Sequence, residues 1–190
     1  MNLDSTILLW INGHYAEWSD ELMWYVSCTA TWIPLYVLLA GLIVWKYRNW
    51  RTVLVVLIGF GVAVGLSDFV CSGVLKPLVC RLRPTHEPAL DPVHLVRGYT
   101  GGLYSFCSSH AANTMCVATL FSLLWRKQTA TAGLMTWVAL VAYSRMYLGA
   151  HYPTDIIAGL LIGALFAVSV YRVLRHWLRV DDGVARQGDS

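Results

Sequence analysis

Three short motifs place ionisable side chains beside long apolar stretches of the chain. They read KPLVCRLRP at residues 76–84, SFCSSH at 105–110 and SRMYLGAHYPTD at 144–155. An ionisable group is costly next to lipid and is retained where it has a function. The three motifs together supply cations, a helix start, two histidines and a carboxylate, which is the set of groups that phosphoryl chemistry requires.

The cations and serines of these motifs are suited to holding a phosphate. Lys76, Arg83 and Arg145 carry positive charges that complement a phosphoryl dianion. Ser108 and Ser109 precede an apolar helix, whose free N–H groups and positive dipole end also favour an anion. These five residues are the predicted phosphate-binding set.

The histidines and the carboxylate are suited to breaking a phosphate bond. His110 follows the two serines, so its ring is placed to protonate a leaving oxygen. Asp155 lies four residues after His151, a spacing that lets the carboxylate accept the Nδ1 proton and leaves Nε2 as a nucleophile. The predicted catalytic residues are therefore His151, His110 and Asp155. The cations replace a metal ion, so the reaction needs no metal or other cofactor.

The elements that position these motifs follow from composition. Of the 190 residues, 57% are hydrophobic and 13% are charged, which is typical of a membrane protein. Segments 23–45, 52–75, 106–125, 130–148 and 156–174 each approach the roughly 20 residues that cross a bilayer. We predict an all-α integral membrane bundle of about five transmembrane helices, preceded by an N-terminal interfacial helix over 3–11.

The basic residues predict the orientation of this bundle. Lys46, Arg48 and Arg51 follow the first span, and Arg126 and Lys127 follow the third. The positive-inside rule places that end in the cytoplasm. All three motifs then lie on the opposite face, which predicts a bacterial inner membrane protein whose site faces the periplasm or cell exterior.

We expect one domain over residues 1–180 and a disordered polar tail over 181–190. The net charge of +3 without a dense basic stripe argues against a nucleic-acid partner. Glycines 59, 61, 65, 159 and 163 are expected to permit close contact between helices. Asp68 is expected to pair with a basic or hydroxyl group and not to be catalytic. The oligomeric state is left open.

The motifs resemble a known family. Lys-x6-Arg-Pro, Ser-x-His and Ser-Arg-x5-His-x3-Asp, in this order over residues 76–155, resemble the type 2 phosphatidic acid phosphatase (PAP2) superfamily, which also contains the vanadium haloperoxidases. The resemblance implies a helical bundle and a phosphohistidine mechanism, with His151 as nucleophile and His110 as acid. It also implies Lys76, Arg83, Ser108 and Arg145 as phosphate ligands.

The second motif departs from the family pattern. The family has Pro-Ser-Gly-His where this chain has Cys107, Ser108, Ser109 and His110. The Ser109 hydroxyl either donates to phosphate or crowds the site and slows turnover. Cys107 and Cys80 both fall at the predicted outer face. They either form a disulfide or, as the preferred interpretation, remain two free thiols.

The resemblance implies a lipid phosphate that enters from the bilayer, so membrane lipids are the expected partners. Undecaprenyl diphosphate is placed first, because residues 3–13 and 32–36 resemble bacterial undecaprenyl-diphosphate phosphatases. Lipid A, phosphatidylglycerol phosphate and phosphatidate are alternatives. A lipid phosphotransferase and a non-catalytic scaffold that binds lipid phosphate also remain open. The 85–104 loop, with Glu87, Arg97 and Tyr99, is the predicted headgroup reader, and Arg81 contacts either the headgroup or anionic lipid.

Overall fold

The structure is a computed structural model that describes residues 2–90 and 92–187, with side chains described as far as residue 178. Helices in these ranges are α1 (Leu3–Gly13), α2 (Glu17–Ser27), α3 (Ile33–Tyr47), α4 (Trp50–Asp68), α5 (Lys76–Val79), α6 (Ser109–Trp125), α7 (Gln128–Tyr147) and α8 (Pro153–Gln187). A π-helix, Phe69–Leu75, joins α4 to α5, and 3-10 turns form at Thr29–Trp32, Pro84–His86, Pro88–Leu90 and Val96–Gly98. The all-α prediction is confirmed.

Polar side chains mark the starts of several helices. The Asn2 side chain accepts a hydrogen bond from the Ser5 N–H at 2.9 Å and so caps α1. Asn49 caps α4 in the same way, with 3.0 Å to the Arg51 N–H. Such caps satisfy backbone N–H groups that have no partner inside the helix. Pro153 begins α8, where a proline costs nothing because the first N–H would be unpaired anyway.

Three helical stretches are long and apolar enough to cross a membrane on length and composition: Thr29–Tyr47, Trp50–Val79 and Pro153–Leu178. They contain the second and fifth predicted spans and the part of the first from residue 29 onward, whereas residues 23–27 belong to α2. The third and fourth predicted spans coincide with α6 and α7. The membrane bundle is thus confirmed, with the first span beginning later than predicted.

Helix α6 lies at the centre of this bundle, packed against α4, α7 and α8. Ala111, Ala112, Cys116 and Leu120 on α6 are fully buried. Large apolar side chains on the surrounding helices instead point outward, which is expected where lipid surrounds the bundle. They include Val37, Leu38, Val44, Leu54, Ile58, Val62, Ile157, Leu161 and Leu165.

Glycines allow α6 and α8 to approach closely. A Cβ atom at Gly163 would lie 2.1 Å from the Ala112 carbonyl oxygen, and one at Gly159 would lie 2.5 Å from that of Ser108. Gly59 on α4 similarly accommodates Leu174, whose Cδ1 would be 2.8 Å from a Cβ there. The predicted packing role of these three is confirmed. At Gly61 and Gly65 no atom lies within 4 Å of the added Cβ, so the prediction is wrong for those two.

Helix α8 continues to Gln187 and therefore enters the segment that the sequence predicts to be a disordered tail. Residues 188–190 lie outside the described residues. The tail over 181–190 and the single domain over 1–180 stay predictions.

Replacing Gly163 by alanine tests the close helix contact. We expect Gly163→Ala to lower the free energy of unfolding by about 1–3 kcal/mol, because the added methyl group meets backbone atoms that cannot move aside. Thermal unfolding in detergent, followed by tryptophan fluorescence, measures the change. Gly133→Ala on α7 is the matched control, since nothing lies within 4 Å of a Cβ there. Equal unfolding midpoints for the two variants would contradict the role of Gly163.

Candidate active site

The residues predicted to act together converge at one end of the bundle. Arg83 is 8% exposed, Arg145 4%, His151 1% and Asp155 0%. Arg145 lies in the last turn of α7 and Asp155 in the first turn of α8, with His151 in the turn between them. Lys76 begins α5, and Ser108 to His110 form the start of α6. Burial of so many charged groups indicates a site prepared for a charged ligand.

His151 and Asp155 adopt the predicted arrangement with one difference. The His151 Nδ1 atom lies 3.7 Å from Asp155 Oδ2, which is near but beyond hydrogen-bond distance. Among the described residues Nδ1 has no hydrogen-bond partner. The carboxylate is therefore beside the ring, and a small movement of either side chain would close the contact.

Asp155 is already held by other donors. Its Oδ2 atom accepts from the Tyr152 N–H at 3.0 Å, and its Oδ1 atom accepts from Arg81 Nη1 at 2.9 Å. The Arg81 guanidinium also stacks on the Tyr152 ring, with 3.6 Å from Cζ to the ring centroid. These contacts fix the carboxylate without using His151.

Arg81 connects Asp155 to the N-terminal helix. Its Nη2 atom lies 2.5 Å from Asp4 Oδ2 on α1. Asp4 also accepts from the Thr154 N–H at 3.0 Å and from the Thr154 hydroxyl at 2.6 Å. Burial raises the Asp4 pKa, but the bonds from Thr154 and Arg81 outweigh it and hold that pKa below its usual value. Arg81, predicted to contact a headgroup or anionic lipid, instead binds two carboxylates.

The surroundings of His151 keep its ring neutral. Burial is the main cause that lowers the His151 pKa to about 4, and the charges of Arg145 and Arg83 lower it further. The nearby Asp155 opposes them by favouring the charged ring. A neutral imidazole retains a lone pair, which a nucleophile requires.

The start of α6 supplies a second group of polar contacts. The Ser108 hydroxyl caps the helix by accepting a hydrogen bond from the Ala111 N–H at 3.4 Å. The backbone N–H of Ser108 donates to the Asp155 carbonyl oxygen at 3.1 Å. The Ser109 hydroxyl lies 2.7 Å from that of Ser72 and accepts from Lys76 Nζ at 3.4 Å. The π-helix before Lys76 brings both Ser72 and Lys76 to this point. Such wide turns often occur at functional sites.

Arg83 and Arg145 meet at the hydroxyl of Tyr99. That oxygen accepts from Arg83 Nη1 at 3.2 Å and from Arg145 Nη2 at 2.9 Å. Burial raises the Tyr99 pKa, but the two guanidinium charges outweigh it, so that the pKa is lowered. Arg145 also donates to the Ser27 hydroxyl, while its Nε atom has no partner among the described residues. Gly101, at φ +66, leaves room for Arg83, because a Cβ there would lie 1.9 Å from Nη1.

The 85–104 loop contributes to the site less than predicted. Of the three residues expected to read a headgroup, Tyr99 reaches the site and contacts its arginines. Arg97 is turned away and pairs with Glu21 at the surface. Glu87 lines a separate cavity with Pro84 and Val93. Arg97 and Glu87 therefore lie apart from the arginines and histidines of the site in the described arrangement, and their role in reading a headgroup stays a prediction.

His110 faces a cavity of about 510 Å³ that lies between α3, α4 and α6. Ser109 and Asn113 line the same cavity. A second cavity, of about 200 Å³, connects His110 with Arg145 and Tyr99. His110 thus lines both the cavity on the arginine side and the larger cavity, which forms a groove along the bundle between α3, α4 and α6.

The thiols are free. Cys80 is exposed and its Sγ lies 3.0 Å from the Pro77 carbonyl oxygen, whereas Cys107 is buried against Cys71. The disulfide between Cys80 and Cys107 is therefore wrong, and the alternative of two free thiols is confirmed. Cys107 fills the position of the family's proline as a small apolar side chain.

Three contact residues were not predicted from sequence: Asp4, Ser27 and Ser72. Each lies outside the motifs, on a different helical segment, and reaches the site through the fold. Ser72 carried a weak signal, because it lies four residues before Lys76 and therefore near it on a helix. Asp4 and Ser27 carried none.

Removing the Arg81 charge tests its action on His151. We expect Arg81→Gln to raise the His151 pKa from about 4 by roughly half to one unit, because the freed Asp155 carboxylate then favours the charged ring. NMR titration of ring-labelled histidine measures the pKa, with His151→Gln to assign the signal. Arg97→Gln, which removes the same charge from the surface pair with Glu21, is the control and should leave it unchanged. An unaltered His151 pKa in Arg81→Gln would contradict the coupling.

Comparison with known proteins agrees with this geometry. The PAP2 superfamily matches residues 53–179. A lipid A 4'-phosphatase of Bacteroides thetaiotaomicron is 33% identical over 164 residues, which are 85% of this chain and 72% of that protein. An undecaprenyl-diphosphatase of Sulfolobus acidocaldarius is 32% identical over 133 residues, or 70% of this chain and 58% of that protein.

A solved structure shares the fold. The crystal structure of Aquifex aeolicus LpxE superposes with a TM-score of 0.69 at 21% identity, covering 90% of this chain and 96% of that one. Because the family match spans more than half of the chain and includes all three motifs, the chain belongs to the PAP2 superfamily and is an integral membrane phosphatase.

Proposed function

We propose that this enzyme hydrolyses the phosphate monoester of a membrane glycolipid of the lipid A type through a phosphohistidine. The observation that carries the proposal is the convergence of His151, Asp155 and His110 with three cations at the mouth of a groove in the bundle. Catalysis by such a site depends on positioning and on stabilising charge as it develops.

The phosphate is bound by Arg83, Arg145 and Lys76. Arg145 Nε has no protein partner among the described residues, so a phosphate oxygen can take this donor. The guanidinium groups of Arg83 and Arg145 both donate to the Tyr99 hydroxyl, which holds them side by side. Backbone N–H groups at the start of α6, where Ser108 and Ser109 lie, add to the attraction for an anion.

The Nε2 atom of His151 attacks phosphorus. The neutral ring forms an N–P bond and becomes positively charged, and Asp155, 3.7 Å from Nδ1, stabilises that charge as the contact closes. The carboxylate acts by orienting and compensating the ring. Arg81 positions Asp155, so this arginine acts without touching substrate.

His110 assists departure of the lipid by protonating its leaving oxygen. The bound phosphate stabilises the charged form of this ring, which donates its proton to the oxygen leaving phosphorus. In the second half the neutral ring removes a proton from water, and the resulting hydroxide breaks the N–P bond. Inorganic phosphate leaves, and both histidines return to their first state.

The related proteins and the lining of the groove beside His110 indicate which lipid is the substrate. A glycolipid monophosphate of the lipid A type now ranks before undecaprenyl diphosphate, which the sequence placed first, because the relative with the broader match is a lipid A 4'-phosphatase. An acyl chain fits the lower groove, where Phe60 and Val117 are shared with a further apolar cavity of about 150 Å³. Undecaprenyl diphosphate is the second candidate, supported by the archaeal relative.

The distribution of basic residues supports a site that faces the outside of the inner membrane. Lys46 and Arg126 mark the end of the bundle away from the histidines, and cytoplasmic ends of membrane bundles are enriched in such residues. Substrate then enters sideways from the outer leaflet, with its phosphate at the interface and its chains in lipid.

Phosphate release from purified lipids tests the proposal. We expect lipid A carrying a 4'-phosphate to be the best substrate in a panel with undecaprenyl diphosphate, phosphatidylglycerol phosphate and phosphatidate. His151→Ala should lower kcat at least about 1000-fold, since the nucleophile is lost. His176→Ala, which alters an exposed histidine on α8, is the control.

The other outcomes decide between the alternatives. Lipid binding without release of phosphate from any lipid supports the scaffold. Release that requires an added acceptor hydroxyl supports the phosphotransferase. Undiminished activity of His151→Ala contradicts the phosphohistidine, and strong inhibition by EDTA contradicts a mechanism that relies on these cations alone.

The role of His110 has a separate test. His110→Gln should lower kcat for a lipid phosphate by about 100- to 10,000-fold, because an alkoxide needs a proton to leave. With p-nitrophenyl phosphate the loss should be much smaller, since nitrophenolate leaves unprotonated. Equal losses with both esters would show that His110 acts by some means other than proton donation.

A further inference from the structure

The cavity below His110 changes character along its length. Its lining is polar near the site, with Asp68, Ser109, His110, Asn113 and Thr114, and apolar farther down, with Phe60, Val64 and Val117. The polar part follows directly after the His110 ring. A group attached to a phosphate bound above His110 passes Asp68 and Asn113 when it extends into this cavity towards the apolar part.

Asp68 is an unusual residue for this wall. It is the last residue of α4, and the helices α3, α6 and α7 contain no acidic residue at all. A carboxylate among membrane-spanning helices is costly, and one that faces a cavity is a functional candidate by default. Among the described residues no cation lies within salt-bridge distance of it; the contact found is the Asn113 amide, with Nδ2 donating to Oδ1 at 3.1 Å.

The Asp68 and Asn113 pair leaves acceptors without donors. Within the described part of the chain no donor reaches Asp68 Oδ2, and the Asn113 Oδ1 atom has no hydrogen-bond partner either. The sequence predicts that Asp68 pairs with a basic or hydroxyl group, and the structure gives it an amide instead. The buried Asn113 Oδ1 atom is costly without a donor. The Asp68 carboxylate beside it also accepts hydrogen bonds, so the pair favours a ligand that brings hydroxyl or amide donors.

The two candidate lipids differ in the group that they place here. In a sugar phosphate the atoms after the scissile oxygen belong to a neutral ring with hydroxyl and amide donors. In a polyprenyl diphosphate they belong to a second phosphate, which is negative and has acceptors only. A carboxylate attracts the first and repels the second, and repulsion of the wrong substrate is an efficient way to gain specificity.

We propose that Asp68 and Asn113 form a selectivity site that accepts hydrogen bonds from a sugar leaving group and disfavours the second phosphate of a diphosphate. The inference rests on the proposed function, because it assumes that phosphate binds above His110. It adds a residue pair that belongs to none of the three motifs. Neither residue acts on the reacting atoms.

The test compares two substrates in one variant. Asp68→Asn keeps the size of the side chain and removes its charge. We expect kcat/KM for lipid A 4'-phosphate to fall about 10- to 100-fold, as for the loss of a hydrogen bond to a charged group. For undecaprenyl diphosphate we expect kcat/KM to rise several-fold, because the repulsion is removed. The ratio of the two constants is the measured quantity.

Asn113→Leu separates the loss of hydrogen bonding to the sugar from the loss of repulsion of the diphosphate. It removes the amide but keeps the carboxylate, so turnover of the sugar phosphate should fall while the diphosphate remains a poor substrate. Inhibition by orthophosphate monitors the phosphate-binding residues and should be unchanged in both variants. The charge of Asp68 also acts on Lys76. Weaker orthophosphate inhibition together with equal losses on both lipids would assign Asp68 to Lys76 and overturn the selectivity role.

A binding measurement keeps this inference separate from the proposed function. In the His151→Ala background, adding Asp68→Asn should raise the dissociation constant for lipid A 4'-phosphate relative to that for undecaprenyl diphosphate. A shift without turnover in the parent enzyme would refute the hydrolytic function and leave the selectivity site standing. An unchanged ratio, in an enzyme that hydrolyses lipid A, would refute the selectivity site alone.

Discussion

The close approach of α6 and α8 is the constraint on which the rest of the site depends. His110 belongs to one helix, while Asp155 belongs to the other and His151 directly precedes it. Gly159 and Gly163 let the two backbones meet, and the Ser108 N–H bonds directly to the Asp155 carbonyl at 3.1 Å. Side chains at these glycines would separate the helices and move His110 away from His151 and Asp155. Small residues at helix contacts serve this purpose in membranes, where lipid offers no hydrophobic drive for association.

Charge is arranged around this contact in two groups. Arg83 and Arg145 share the Tyr99 hydroxyl and have no carboxylate partner among the described residues. Arg81 is neutralised by Asp4 and Asp155 and holds the Asp155 carboxylate beside His151. Two kinds of arginine thus stand within one site, one bound by carboxylates and the other bound by a neutral hydroxyl. The difference comes from the fold, because all three side chains have the same chemistry.

Much of the site could be predicted because its residues lie in short motifs. Asp155 lies four residues from His151, and Ser109 adjoins His110, so local spacing already brings them together. The helices followed from apolar segments of sufficient length. The Asp4 contact could not be predicted, since Arg81 and Asp4 are 77 residues apart and nothing in either segment specifies the other. The outward turn of Arg97 likewise depends on Glu21, which comes from another helix. The same limit applies to the thiols, because the burial of Cys107 against Cys71 follows from packing alone.

The π-helix at Phe69–Leu75 has a consequence for how this chain can vary. Each residue of an α-helix turns the backbone by about 100°, and a π-helix holds more residues per turn. If the same seven residues closed into a regular α-helix instead, they would turn the backbone too far by about one residue. Lys76 and all that follows would then rotate by about 100° around the axis, carrying the ammonium group away from Ser109. The wide turn of this segment is therefore as much a part of the site as the identity of its side chains.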